Sequence, residues 1–160
     1  MSIYNRQATV TYAEKWALSR NPAYANFDQL GGDCTNFASQ CLHAGGCSMN
    51  YAKDVGWYYH SAGDRAAAWT SASYLHNFLT HNKGRGPAAV PVSLSLLEPG
   101  DLIQLHNGKA YYHTLVVVDL TKEGPLICAH TDDSLRRPLY TYTYLSAQGL
   151  HIIPASGIGV

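Results

Sequence analysis

Cys34 closes the turn Gly31-Gly32-Asp33-Cys34. A thiol at the first position of a helix meets the positive end of the macrodipole, which favours thiolate. The free N–H groups there can also hold an oxyanion. The two glycines remove side chains that would block an approaching carbonyl. Cys34 is therefore a candidate nucleophile for acyl transfer, weighed against the commoner fate of a buried structural cysteine. A nucleophile of this kind needs a base. His113 opens an apolar run directly after Tyr111-Tyr112 and is the candidate. A third group should orient its imidazole. Ala129-His130-Thr131-Asp132 offers two. A hairpin turning near residues 122–125 would set His130 beside His113, with Asp132 just beyond. His130 is the expected orienter. Asp132 is the alternative, because a carboxylate better stabilises imidazolium. The oxyanion would be held by the Cys34 N–H and a second donor, drawn from Gln29, the Asp33 backbone N–H or Tyr24. Among the aromatics flanking these motifs, Trp57 and Tyr112 are expected to line a substrate cleft.

A rival chemistry is zinc binding by Cys34, Cys41, His43 and Cys47. Their spacings miss the usual C-x2–4-C knuckle. On one helix, Cys34 and Cys41 would lie about 10 Å apart along the axis, too far to chelate together or to form a disulfide. No metal and no cofactor are expected.

These residues must be carried by a definite set of elements. Residues 5–19 read as an amphipathic helix stopped by Asn21-Pro22. Asp33 reads as the N-cap of a second helix running to about His43, ended by Gly45-Gly46. An irregular surface loop follows, with Trp57, Tyr58, Tyr59 and His60. A third helix is expected over 67–81. The second half changes to short apolar runs between turn signals, at 101–105, 113–120, 126–130 and 151–154. Residues 139–145 alternate, which would put Tyr140, Tyr142 and Tyr144 in a stripe on one strand face. Helices first and strands after predict an α+β domain, with the helices on one side of an antiparallel sheet.

The 160 residues suit a single catalytic domain over 1–160, whether whole or cut from a longer chain. Hydrophobic residues make up 46% and charged residues only 14%. Eleven Lys plus Arg balance eleven Asp plus Glu, which excludes a charge-driven nucleic-acid binder. No apolar run is long enough for a membrane span, and residues 1–20 lack the apolar core of a signal peptide. A monomer is expected.

The motifs also carry a resemblance. Gly31-Gly32-Asp33-Cys34-Thr35-Asn36-Phe37-Ala38-Ser39-Gln40 resembles the nucleophile helix of the bacterial "Putative amidase domain" family. Tyr4-Asn5-Arg6, Asn21-Pro22, Trp57, Trp69-Thr70, Leu97-Glu98-Pro99-Gly100-Asp101-Leu102, His113 and Ala129-His130-Thr131-Asp132 follow in the family's order. That family resembles the papain-like NlpC/P60 and CHAP cell-wall enzymes. The resemblance implies a papain-like, NlpC/P60-type fold. It also implies cysteine-dependent hydrolysis of an amide in peptidoglycan, at an N-acetylmuramoyl–L-alanine or stem-peptide bond. His130 at the third position fits NlpC/P60 members, whereas many CHAP members carry Glu or Asn there. Such an enzyme, of bacterial or phage origin, would act at the cell wall after secretion or lysis. Two other readings share parts of the pattern: a cysteine deamidase or peptidase acting on protein, and a glycan-binding module without catalysis.

Overall fold

The structure is a computed structural model, and it describes residues 3–154. Helix α1 (Arg6–Trp16) is opened by Asn5, whose side chain accepts the Ala8 N–H at 3.0 Å. Helix α2 (Cys34–Ala44) is the central helix, and every residue from Cys34 to Leu42 is buried. It has no solvent-exposed face over that stretch because it is enclosed by the other helices and the sheet.

The segment expected as one helix over 67–81 is two. Helix α3 (Ala67–Thr70) ends at Ser71, which takes an extended conformation (φ −114°, ψ 126°) and caps α4 (Ala72–His81). Serine competes for backbone donors outside the helical conformation, so Ser71 breaks the run and starts a new one. The expected surface loop is also corrected. Residues 59–65 form a small ribbon, β1 (Tyr59–Ser61) with β2 (Asp64–Arg65). Trp57 is fully buried, its ring 4.6 Å from Trp69 and its Nε1–H donated to Ser39 Oγ at 3.0 Å. It belongs to the core and lines no cleft, because a large apolar ring with one satisfied donor gains most from burial.

The main sheet has β3 (Pro87–Val92), β4 (Leu102–His106), β5 (Tyr111–Thr121), β6 (Gly124–Ala129), β7 (Ser134–Pro138) and β8 (Ser146–Pro154). Their order is β3-β8-β4-β5-β6-β7, with every neighbouring pair antiparallel. The edge strands β3 and β7 escape a periodicity reading. The first carries Pro87 and Pro91, and the second bends at Arg136 (φ 51°). The tyrosine stripe at 139–145 is corrected as well. Residues Leu139–Thr141 form a short 3-10 turn behind Pro138, and Tyr142 and Tyr144 pack beneath the sheet.

Alternation divides the sheet into two faces. Leu102, Val116, Val118, Cys128, Leu150 and Ile152 meet the helices. Ile103, Leu105, Leu115, Val117, Ile127 and Ala129 form a second core covered by Leu97 and Leu139. The helices pack on one side, as the α+β reading expects. All four cysteines are buried and unpaired. The chain start is pinned across the molecule. Tyr4 donates its hydroxyl to the Gly100 carbonyl at 2.6 Å, and Arg6 meets Asp101 at 2.7 Å and the Ile152 carbonyl at 2.7 Å. The Tyr4-Asn5-Arg6 and Leu97–Leu102 motifs thus form one structural clasp.

Candidate active site

Asp33 stands at the N-cap of α2, yet its side chain makes no capping bond. Its carboxylate is turned away, to His130 Nδ1 at 2.5 Å, the Phe27 N–H at 2.8 Å and Asn36 Nδ2 at 2.9 Å. The N-terminal N–H groups of α2 are therefore not claimed by the cap, which keeps them available to an anion. The Cys34 sulfur is faced by the Thr35 hydroxyl at 3.8 Å and by the backbone N–H groups of Thr35 and Thr114. Burial pushes the Cys34 thiol above its ordinary value, and these donors limit the rise.

Thr114 is the residue after His113, so the candidate nucleophile lies against the peptide that follows the candidate base, with no hydrogen bond between the two side chains among the described residues. The His113 ring is 8% exposed, with Tyr142 set edge-on at 5.8 Å. Burial pushes its pKa down to about 4, the Arg137 charge adds to this, and Asp132 opposes it. At neutral pH the imidazole is uncharged and can accept a proton.

The third residue is where the expected geometry fails. The β5–β6 register pairs Val116 with Cys128, which carries position 113 opposite 131, not 130. With a period of two, His113 and His130 point to opposite faces. His130 lies on the helix side, 1% exposed and stacked on Phe37 at 4.0 Å. Its Nδ1 bonds Asp33 and its Nε2 bonds the Trp16 carbonyl at 2.8 Å. Both ring nitrogens are thus engaged on the helix side, and neither is left for His113. Asp132 is 87% exposed in its side chain and pairs with Arg137 at 3.3 Å, within electrostatic reach of His113.

Residues 3–153 match the family described as "Putative amidase domain". The chain belongs to this family. It is 38% identical over 139 residues to "Uncharacterized protein YhbB" of Bacillus subtilis (strain 168), covering 84% of this chain and 43% of that protein. It is 29% identical over 144 residues to "Uncharacterized protein YjcM" of the same strain, covering 84% of this chain and 32% of that protein. The chain thus spans less than half the length of these curated relatives. No solved structure matches it. The family's description is that of an amidase, a hydrolase of amide bonds.

In this family member the Ala129–Asp132 motif braces the Gly31–Cys34 turn. Thr131 and Asp132 both take positive φ (61° and 62°), uncommon for residues with a Cβ. This sharp turn presents Thr131 Oγ1 to the Asp33 N–H at 3.1 Å. The Asp33 N–H is therefore spoken for and is corrected as an oxyanion donor. Gln29 is exposed in the turn before Gly31, and Tyr24 packs against Tyr59 and Trp69 at 5.1 and 6.2 Å. Tyr112 is 45% exposed, its ring 6.4 Å from that of His113. The sequence reading missed Thr35, Thr114, Gln104, Arg137 and Tyr142. A signal existed for two of them. Thr114 and Gln104 are polar residues inside otherwise apolar strand runs, and both are fully buried.

Proposed function

We propose that this chain is a cysteine-dependent amide hydrolase of the bacterial cell wall, related in arrangement to the papain-like NlpC/P60 and CHAP enzymes. It cleaves an N-acetylmuramoyl–L-alanine or a stem-peptide amide in peptidoglycan. The observation that carries the reading is the Cys34 sulfur at the uncapped start of α2, faced by the backbone N–H of Thr114, the residue after His113.

The chemistry follows from the groups present. Cys34 and His113 rest as neutral thiol and neutral imidazole. His113 takes the thiol proton as the sulfur attacks the substrate carbonyl. The new C–S bond leaves a negative oxygen, which the Cys34 N–H meets. His113 returns the proton to the departing amine as the C–N bond breaks. Water, deprotonated by His113, then cleaves the thioester and restores the thiol. Tyr142 stands edge-on to His113, and Asp132 supplies the charge that favours imidazolium.

Incubation with purified peptidoglycan and mass spectrometry of the products tests the proposal. A new L-alanine amino terminus identifies the amidase, and new stem-peptide ends identify the peptidase. Cys34→Ala and Cys34→Ser should both lose the activity. Equal release by wild type and Cys34→Ala would overturn the reading.

A further inference from the structure

A buried line of polar side chains runs inward from the Cys34 sulfur, and the two-residue catalytic scheme does not use it. Thr35 Oγ1 lies 3.8 Å from the sulfur and 2.9 Å from Thr114 Oγ1. Thr114 Oγ1 receives Gln104 Nε2 at 3.2 Å. Gln104 Nε2 also faces the Ala72 carbonyl at 2.9 Å, and Gln104 Oε1 meets His76 Nδ1 at 3.0 Å. Thr35, Thr114 and Gln104 are 0–1% exposed.

The Ala72 carbonyl fixes the direction at the Gln104 end, and giving every hydroxyl proton an acceptor sets the rest. A carbonyl only accepts, so the group facing Ala72 must be the NH2 of Gln104. That NH2 therefore donates to Thr114. The Thr114 hydroxyl, having accepted there, has Thr35 Oγ1 as its remaining acceptor among the described residues. Thr35 accepts in turn, and its own proton is left for the Cys34 sulfur. At the far end, the amide oxygen requires a hydrogen on His76 Nδ1, whose ring is stacked on Tyr111 at 4.0 Å. Each donor polarises the next, so the hydroxyl that reaches the sulfur is a stronger donor than an isolated threonine.

Valine would fill the same space at positions 35 and 114 without buried polar atoms. Leu115, Val116, Val117 and Val118 continue the strand from Thr114 in that way. Packing alone does not call for hydroxyls here. We propose that Thr35 is a further catalytic residue, donating its hydroxyl to the Cys34 sulfur at the end of a one-way chain from Gln104 through Thr114. Thr114 and Gln104 are positioning residues. No proton travels along the chain. When Cys34 gives its proton to His113, the electron pair stays on sulfur, and the Thr35 O–H and the two backbone N–H groups meet it. This inference rests on Cys34 being the nucleophile.

The test is the pH dependence of iodoacetamide labelling, resolved by peptide so that Cys34 is read apart from Cys41, Cys47 and Cys128. Thr35→Val should raise the Cys34 midpoint by about one pH unit and slow labelling at neutral pH about tenfold. Thr35→Ser should restore both. Thr114→Val and Gln104→Met should shift the midpoint the same way by less, in that order. In peptidoglycan digestion the loss should fall on kcat with KM held. An unchanged midpoint in Thr35→Val, or no recovery in Thr35→Ser, overturns the proposal. If Thr35→Val does not fold, no shift in either Thr114→Val or Gln104→Met overturns it instead. If Cys34 titrates as expected but peptidoglycan is not cut, the cell-wall reading fails and the chain of donors stands. If wild-type Cys34 does not label, the nucleophile reading fails and takes this role with it.

Discussion

At the scale of single residues, the protonation of His113 governs two expected behaviours. In the proposed mechanism, its pKa of about 4 places the loss of base function well below the range of a solvated imidazole. The acid limb of kcat/KM should therefore fall near pH 4, not near pH 6.5, when peptidoglycan release is measured across pH. The same shift acts on stability. Folded His113 stays neutral down to about pH 4, whereas an unfolded imidazole protonates near pH 6.5. The unfolded chain binds more protons within that window, so stability falls as pH drops through it, by up to about 3 kcal/mol. His113→Gln should flatten this slope in urea denaturation at pH 7 and pH 4.5. Residue type and local context are what point to Cys34 and His113 as candidates. The partner of His113 was misread by a single register step, because strand pairing is set by the bulge between Val117 and Asp119, which no local pattern announces. His130 was visible as a motif, but its use on the opposite face depends on that bulge.

At the scale of elements, the start of α2 is held by a constrained turn. Gly32 has φ +103°, and a Cβ there would meet Thr131 Oγ1 at 3.2 Å. Gly32→Ala should cost about 1–2 kcal/mol through backbone strain alone. It should also slow Cys34 labelling, because it pushes the Thr131 brace off the Asp33 N–H. Calorimetry together with the labelling assay would separate the two effects. A Gly32→Ala protein with unchanged melting and labelling would show that the turn is looser than its dihedral angles imply. The main helices and the inner strands were legible because their apolar spacing is regular. The α3–α4 break was not, since Ser71 reads equally well as an interior or a capping residue until Tyr74 is seen bonded to it. The edge strands were hidden by their prolines, which are turn signals in a sequence and edge residues in a sheet.

At the scale of the whole molecule, the clasp between the chain start and the sheet ties together the two halves of the α+β arrangement. Asp101 is fully buried, and Arg6 is its nearest cation at 2.7 Å. Arg6→Met would leave that carboxylate without its charge partner and should cost about 3 kcal/mol. A lower urea midpoint with an unchanged labelling rate of the remaining folded protein would assign the clasp to stability rather than catalysis. The two edges of the six-stranded sheet have a further consequence. A sheet margin is a template on which another chain can grow, strand upon strand. Here Pro87 and Pro91 lack the hydrogen that a newcomer would need on one margin, and Pro138 and the bend at Arg136 spoil the other. Concentrated solutions of this charge-poor domain should therefore resist fibril growth, with solubility guarded by backbone geometry where net charge offers no repulsion.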